Sequence, residues 1–179
     1  MILDLQRLPI LETERLRLEP LSPDDATDVF TIVDDPEVMA ELDFPEIDDP
    51  DLVAEVVRSQ VEAMHAGRAV HWAMRRLGDG AFVGACDLRD IDRRRRRAEV
   101  VFMLGRGAWA EGFAAEALGA VTAYAATSGL RKLSARTHLG NRRSEDLLHA
   151  LGFKEEGLVR GPILKDGDRR DCRLFGLTL

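Results

Sequence analysis

The hydrophobic pattern along the chain changes period several times, and each change marks an element. Over residues 14–19 polar and apolar positions alternate, with Leu16 and Leu18 on one side, as in a half-buried strand. Ser22 then offers an N-cap, Pro23 a first helical position, and Asp24 and Asp25 acids for the first turn, which predicts a helix to about residue 33. A second helix is predicted over 51–66, stopped by Gly67, with Leu52, Val56, Val57, Val61 and Met64 as its apolar face. Residues 70–76 and 81–88 read as strands joined by Leu77-Gly78-Asp79-Gly80, a hairpin signal. After an arginine-rich connection, residues 98–104 are apolar and rich in β-branched and aromatic types, which predicts a buried strand.

The segment after that strand organises the rest of the chain. Residues 105–112 form a loop with glycines at 105, 107 and 112, and residues 113–126 are alanine-rich, with Phe113, Ala117, Val121 and Tyr124 at helical spacing. Ser128-Gly129 ends that helix, and a strand over 132–138 comes straight after. Strand, loop, helix and strand make a βαβ unit with parallel strands and a right-handed crossover. The loop amides and the first helical turn then point the same way, and the helix dipole adds partial positive charge, so the junction suits a phosphate or pyrophosphate. Glycines alone do not establish such a site, since most loops that carry them bind nothing. Asn141 is an N-cap candidate for a helix to residue 150, with Leu147, Leu148 and Leu151 inward and Gly152 as the stop. Two last strands are expected over 154–159 and 169–177, with Lys165-Asp166-Gly167-Asp168 as a turn. No repeat, linker or low-complexity segment divides the chain, so residues 1–179 read as one α/β domain.

Composition narrows the function. A net charge of -7 argues against a general nucleic-acid binder, even though residues 93–97 are five consecutive arginines; without interleaved aromatics these read as an exposed connection. Two cysteines, Cys86 and Cys172, far apart, give neither a disulfide framework nor metal-ligand spacing, and the four histidines form no ligand-spaced pair, so no metal is expected. Charge interrupts the apolar N-terminus too early for a signal peptide, and no apolar run reaches membrane-spanning length. A cytoplasmic protein without membrane or nucleic-acid partners is expected, as a monomer or homodimer. Between residues 34 and 51 stand nine acids, with no lysine or arginine. Two readings are open: a solvated loop, or an entrance that attracts a cation.

Three ordered motifs carry a resemblance. Trp109-Ala110-Glu111-Gly112-Phe113-Ala114 resembles the pyrophosphate loop of GNAT N-acetyltransferases, in which (Gln/Arg)-x-x-Gly-x-(Gly/Ala) cradles coenzyme A, and the leading tryptophan is typical of the RimJ/RimL branch. Asn141-Arg142-Arg143-Ser144, followed by Leu147-Leu148 and Leu151-Gly152-Phe153, resembles that branch's Asn-x-x-Ser…Leu-Gly-Phe signature, and Thr13-Glu14-Arg15-Leu16-Arg17-Leu18 its opening strand. The resemblance spans nearly the whole chain. It implies the GNAT fold, a mixed central sheet with splayed parallel central strands and helices on both faces, and an N-acetyltransferase with acetyl-CoA as co-substrate. The implied acceptor is a primary amine: a protein N-terminus, a polyamine, an aminoglycoside or another small amine. A module of the same fold that binds acyl-CoA without turnover is the alternative.

The resemblance also implies roles. Backbone groups of Phe102, Met103 and Leu104 pair with the pantetheine arm, Trp109, Ala110, Glu111, Gly112, Phe113 and Ala114 hold the pyrophosphate, and Asn141 bonds the arm. Ser144 hydrogen-bonds the coenzyme sulfur or protonates it; the plainer reading is a capping hydroxyl. Glu99, in a strand resembling the base-bearing strand of histone-type members, takes the amine's proton directly or through a water; the plainer reading is an outward-facing strand glutamate. The chain departs from the family's Gly-Lys pair at Ala110-Glu111, which sets an acid beside the phosphates. Like charges about 6 Å apart at a surface cost roughly 1–3 kcal/mol, and Arg106, Arg142 or Arg143 are the candidates to offset it.

Overall fold

The computed structural model describes residues 8–42, 44, 47–165 and 167–179. The reading of the extreme N-terminus, the acids Asp43 and Glu46 and the turn residue Asp166 lie outside them. One mixed sheet carries the fold among the described residues. Its strands are β1 (Leu11–Glu12), β2 (Leu16–Pro20), β3 (Val70–Arg76), β4 (Phe82–Asp92), β5 (Arg97–Leu104), β6 (Lys132–His138), β7 (Lys154–Lys165) and β8 (Asp168–Thr178). Their spatial order is β1-β2-β3-β4-β5-β6-β8-β7. Only β5 and β6 run parallel, joined through the crossover helix α4 (Phe113–Thr127), as the βαβ pattern requires.

Side-chain alternation divides the apolar residues between two faces. On one, Leu16, Leu18, Trp72, Leu88, Val100 and Leu133 pack with Leu118 and Val121 of α4 and Leu148 of α5 (Arg142–Ala150). Trp72 is fully buried there, edge-on to Tyr124 with ring centroids 5.7 Å apart. On the other, Ala73 meets Val29 and Val33 of α1 (Ala26–Val33), Met39 of α2 (Pro36–Glu41), and Val53, Val57 and Met64 of α3 (Pro50–His65). Each fully buried aliphatic side chain contributes about 1.5–3 kcal/mol, so the two cores together outweigh any single surface ion pair.

Three expectations change. The acidic segment after residue 34, expected as a loop or an entrance, holds a helix: α2 opens at Pro36, and α3 then opens at Pro50. Asp35 and Asp49 cap them, accepting the amides of Glu37 and Asp51, and each proline fills the first position, where no amide is needed. On α3, Val57, Val61 and Met64 face the core as expected, but Val53 joins them, whereas Leu52 and Val56 are 46% and 40% exposed. Both final strands are longer than expected, because β7 and β8 continue as a hairpin past the core, where Leu158 and Val159 are exposed.

The feature that places the site is a break in the sheet. The β5–β6 ladder covers only Arg97, Ala98 and Glu99 opposite Lys132, Leu133 and Ser134. On its other side β5 stays paired with β4 as far as Leu104 opposite Gly84. A Cβ at position 84 would lie 2.1 Å from the Met103 carbonyl, so glycine lets β4 hold the end of β5 close. Beyond Glu99, β5 therefore follows β4 while β6 follows β8, and the two central strands part.

Candidate active site

A groove of about 190 Å³ opens where the strands part. Phe102, Met103 and Leu104 of β5 form one side, and Trp109, Ala110, Gly112 and the first turn of α4 another. Asn141, Arg143 and Ser144 of the α5 segment and Val38, Glu41 and Leu42 at the end of α2 complete the lining. The loop is pinned where it leaves β5, because the Trp109 indole donates to the Leu104 carbonyl at 3.1 Å. It then turns through two left-handed residues, Ala110 (φ 63°) and Gly112 (φ 81°). The second suits glycine; alanine in the first costs about 1–2 kcal/mol, which the anchored loop must offset. Gly112 is the N-cap of α4 and has no side chain to cap it, so the amides of Phe113, Ala114 and Ala115 end a 15-residue helix facing the groove. Unsatisfied amides with the positive end of the dipole make an anion site.

The charged candidates take distinct places. Arg143 stacks over the Trp109 ring at 4.0 Å and lines the groove, which puts a guanidinium beside the anion site. Arg106 does not serve there: its guanidinium pairs with Asp35 at 2.9 Å and Glu37 at 2.6 Å, tying the loop to α2. Arg142 is exposed and outside the lining. Glu111 contributes backbone only, its carbonyl accepting from Arg15 at 2.9 Å. Its side chain is exposed and does not line the groove, so it is not set against the helix N-terminus as expected from sequence. Asn141 is the N-cap: its Oδ1 accepts the Ser144 amide at 3.0 Å, and its Nδ2 donates to the Glu41 carbonyl at 3.4 Å. The Ser144 side chain lines the groove beside it.

Glu99 is the main departure. It is 7% exposed, as a buried carboxylate should be, but both oxygens are engaged by Arg136, at 2.6 Å to Nε and 3.0 Å to Nη2. It does not line the groove. Both carboxylate oxygens are thus committed to a guanidinium, and no face of the group is turned to the groove. The arginines at 93–96 form the β4–β5 turn, with Arg95 and Arg97 on Asp92. That turn lies at the opposite end of β5, roughly 20 Å of strand from the groove, too far for a role there.

A family model described as an acetyltransferase (GNAT) domain matches residues 15–154, most of the chain. The chain belongs to the GNAT acetyltransferase family. Among curated proteins it is similar to an uncharacterized N-acetyltransferase, p20, of Bacillus licheniformis, with 30% identity over 168 residues that cover 93% of this chain and 94% of that protein. Among solved structures its fold matches RimL, a ribosomal L7/L12 alpha-N-protein acetyltransferase in complex with coenzyme A, with TM-score 0.87, 16% identity and coverage of 96% and 98%. It also matches Mycobacterium smegmatis RimJ in complex with a CoA disulfide, with TM-score 0.86, 20% identity and coverage of 96% and 88%. As a GNAT acetyltransferase the protein uses acetyl-CoA, and the expected splayed mixed sheet is the one observed.

Sequence reasoning missed the clamp that fixes the GNAT loop from behind. Glu116, in the first turn of α4, accepts from the Thr13 hydroxyl, from the Arg15 amide at 2.7 Å and from the Arg15 guanidinium at 2.8 Å. Arg15 continues to the Glu111 carbonyl and lies over the Phe113 ring at 4.7 Å. Burial pushes the Glu116 carboxyl upward, but the bonds from Thr13 and Arg15 and the charge of Arg15 outweigh it and hold it below the ordinary range. The signal was present in the Thr-Glu-Arg of the opening strand and an acid in a first helical turn, about a hundred residues apart in sequence.

Proposed function

We propose that this protein transfers the acetyl group of acetyl-CoA to a primary amine by direct attack within a ternary complex. The observation that carries the reading is the parting of β5 and β6 beyond Glu99 and Ser134, directly beside an uncapped helix N-terminus. The pyrophosphate lies on the amides of Ala110 and Gly112–Ala115 with Arg143 as counter-charge, and the pantetheine arm runs along Phe102 and Met103. A backbone amide of that strand segment serves the developing oxyanion, where a preorganised donor contributes roughly 3–4 kcal/mol. Holding amine and thioester together supplies much of the rest. The Ser144 hydroxyl donates to the leaving sulfur, and Asn141 fixes the turn that presents it.

The acceptor is a cationic amine, either a small molecule or a protein N-terminus, the class on which RimL acts. Its support is the net charge of -7 and the position of one acid of α2, Glu41, in the groove lining. Thermal unfolding with and without acetyl-CoA tests the donor: ligand at about 100 times Kd adds roughly 2.7 kcal/mol. Thiol release over a panel of amines, with product mass, tests the transfer. No thermal shift at millimolar acetyl-CoA refutes the donor; a shift without thiol release from any amine leaves an acyl-CoA-binding module.

A further inference from the structure

With Glu99 engaged by Arg136, Glu41 is the only carboxylate among the described residues lining the groove. Its surroundings are incomplete. Oε2 of Glu41 is shielded from solvent and meets no hydrogen-bond donor. An oxygen of an ionised carboxylate in that condition is costly, and proteins keep one where something else supplies the donor. The contacts made by nearby polar side chains lie elsewhere. Asn141 caps Ser144 and bonds the Glu41 carbonyl, Arg143 stacks on Trp109, and Arg106 is taken by Asp35 and Glu37. On the same side of the sheet as α2, the buried Asp87 lies 2.9 Å from His71 Nδ1. A groove ligand that brings an N–H donor would complete that oxygen, and a carboxylate calls for a cationic one. Asn141 also fixes where Glu41 stands, because one amide group joins the end of α2 to the turn that carries Ser144.

We propose that Glu41 is the acceptor-binding residue of this enzyme. Its carboxylate receives the acceptor's amino group as an ammonium ion and takes one proton from it, leaving a neutral amine. That amine forms the C–N bond to the thioester carbonyl while the C–S bond breaks. The second proton passes from nitrogen to the departing sulfur by way of Ser144, giving amide and free thiol, and Glu41 returns its proton to solvent. The inference rests on the acetyl-transfer reading and adds the residue that selects the ammonium form.

The test compares wild type with Glu41→Gln on two kinds of acceptor at neutral pH: an alkylamine panel (a diamine, a polyamine, an aminoglycoside, a basic tripeptide) and 4-methoxyaniline, which is already neutral. For the best alkylamine, kcat/KM should fall at least about 30-fold, while the arylamine and the acetyl-CoA Kd stay within about threefold. The unliganded variant should unfold at the same temperature as wild type or higher, since it alters a shielded carboxylate oxygen that meets no donor. Glu41→Asp, with a shorter reach, should fall between the two. Equal losses on both acceptor kinds, no loss on either, or a melting point lowered by several degrees would each overturn the role of Glu41. Absence of turnover by the wild type with every amine would instead sink the transfer reading, and the role with it.

Discussion

Removing the clamp behind the coenzyme loop should weaken the fold by an amount that depends on pH in a definite direction. In Glu116→Ala the Thr13 hydroxyl and the Arg15 amide lose a charged acceptor, and the guanidinium of Arg15 loses its partner. Hydrogen bonds to a charged group contribute about 1.5 kcal/mol or more each, which gives roughly 3 for the first two. The ion pair adds at most about 0.5, because the Arg15 side chain is 43% exposed and its charge is screened. Alanine's better helix propensity returns a few tenths of a kcal/mol. The net loss is about 3 kcal/mol, or roughly 6–12 °C in Tm for a domain of this size. The folded-state pKa of Glu116 lies below its ordinary value of 4.5, so the stabilisation is complete above that value and is lost as pH falls through the lowered one. Thermal unfolding of both proteins from pH 7 downward should show a constant gap to about pH 4.5 and a shrinking one below. A gap under about 0.5 kcal/mol, or one unchanged in acid, would show that the clamp does not hold the loop.

The placement of charge leads to two further outcomes. Arg143→Ala should weaken acetyl-CoA binding roughly tenfold at low salt and less at high salt, whereas Glu111→Lys should leave Kd within about threefold; calorimetry on both variants checks this, and a tighter Glu111→Lys would put that side chain back beside the phosphates. A double-mutant cycle of Glu99→Gln and Arg136→Gln should give a coupling of about 1–2 kcal/mol in stability, and near-additive effects would mean that the pair is not formed in solution.

Elements governed by one local period were legible in the chain. The strands at 70–76 and 132–138, the α4 helix and the Asn141 cap fall where the pattern puts them, because alternation, helical spacing and capping act within a few residues. The region between 34 and 51 was not, because its prolines permit two opposite readings and only tertiary packing selects one. Val38 and Met39 reach a core made by α1 and α3, and that burial turns Pro36 from a breaker into a first helical residue. The choice of Val53 over Leu52 on α3 has the same origin: both fit a helical stripe until α1 presents its own surface.

Charged residues in and near the site illustrate a sharper limit. Glu99 and Arg136 are 37 positions apart, and nothing local relates them. The parallel register sets Ser134 opposite Glu99, and two residues further along, on the same face, comes Arg136. The partner of a strand carboxylate is thus decided by register, which depends on how the crossover helix packs. Glu41 shows the converse. In sequence it is one of nine acids, indistinguishable from the others; folding commits Asp35 and Glu37 to Arg106, sets Asp49 as a cap, and carries Glu41 to the end of α2 against Asn141. An acidic run therefore does not act as a unit. Its members are separated by a fold that neutralises some, uses others to start helices, and sets one in the groove lining with an oxygen that meets no donor.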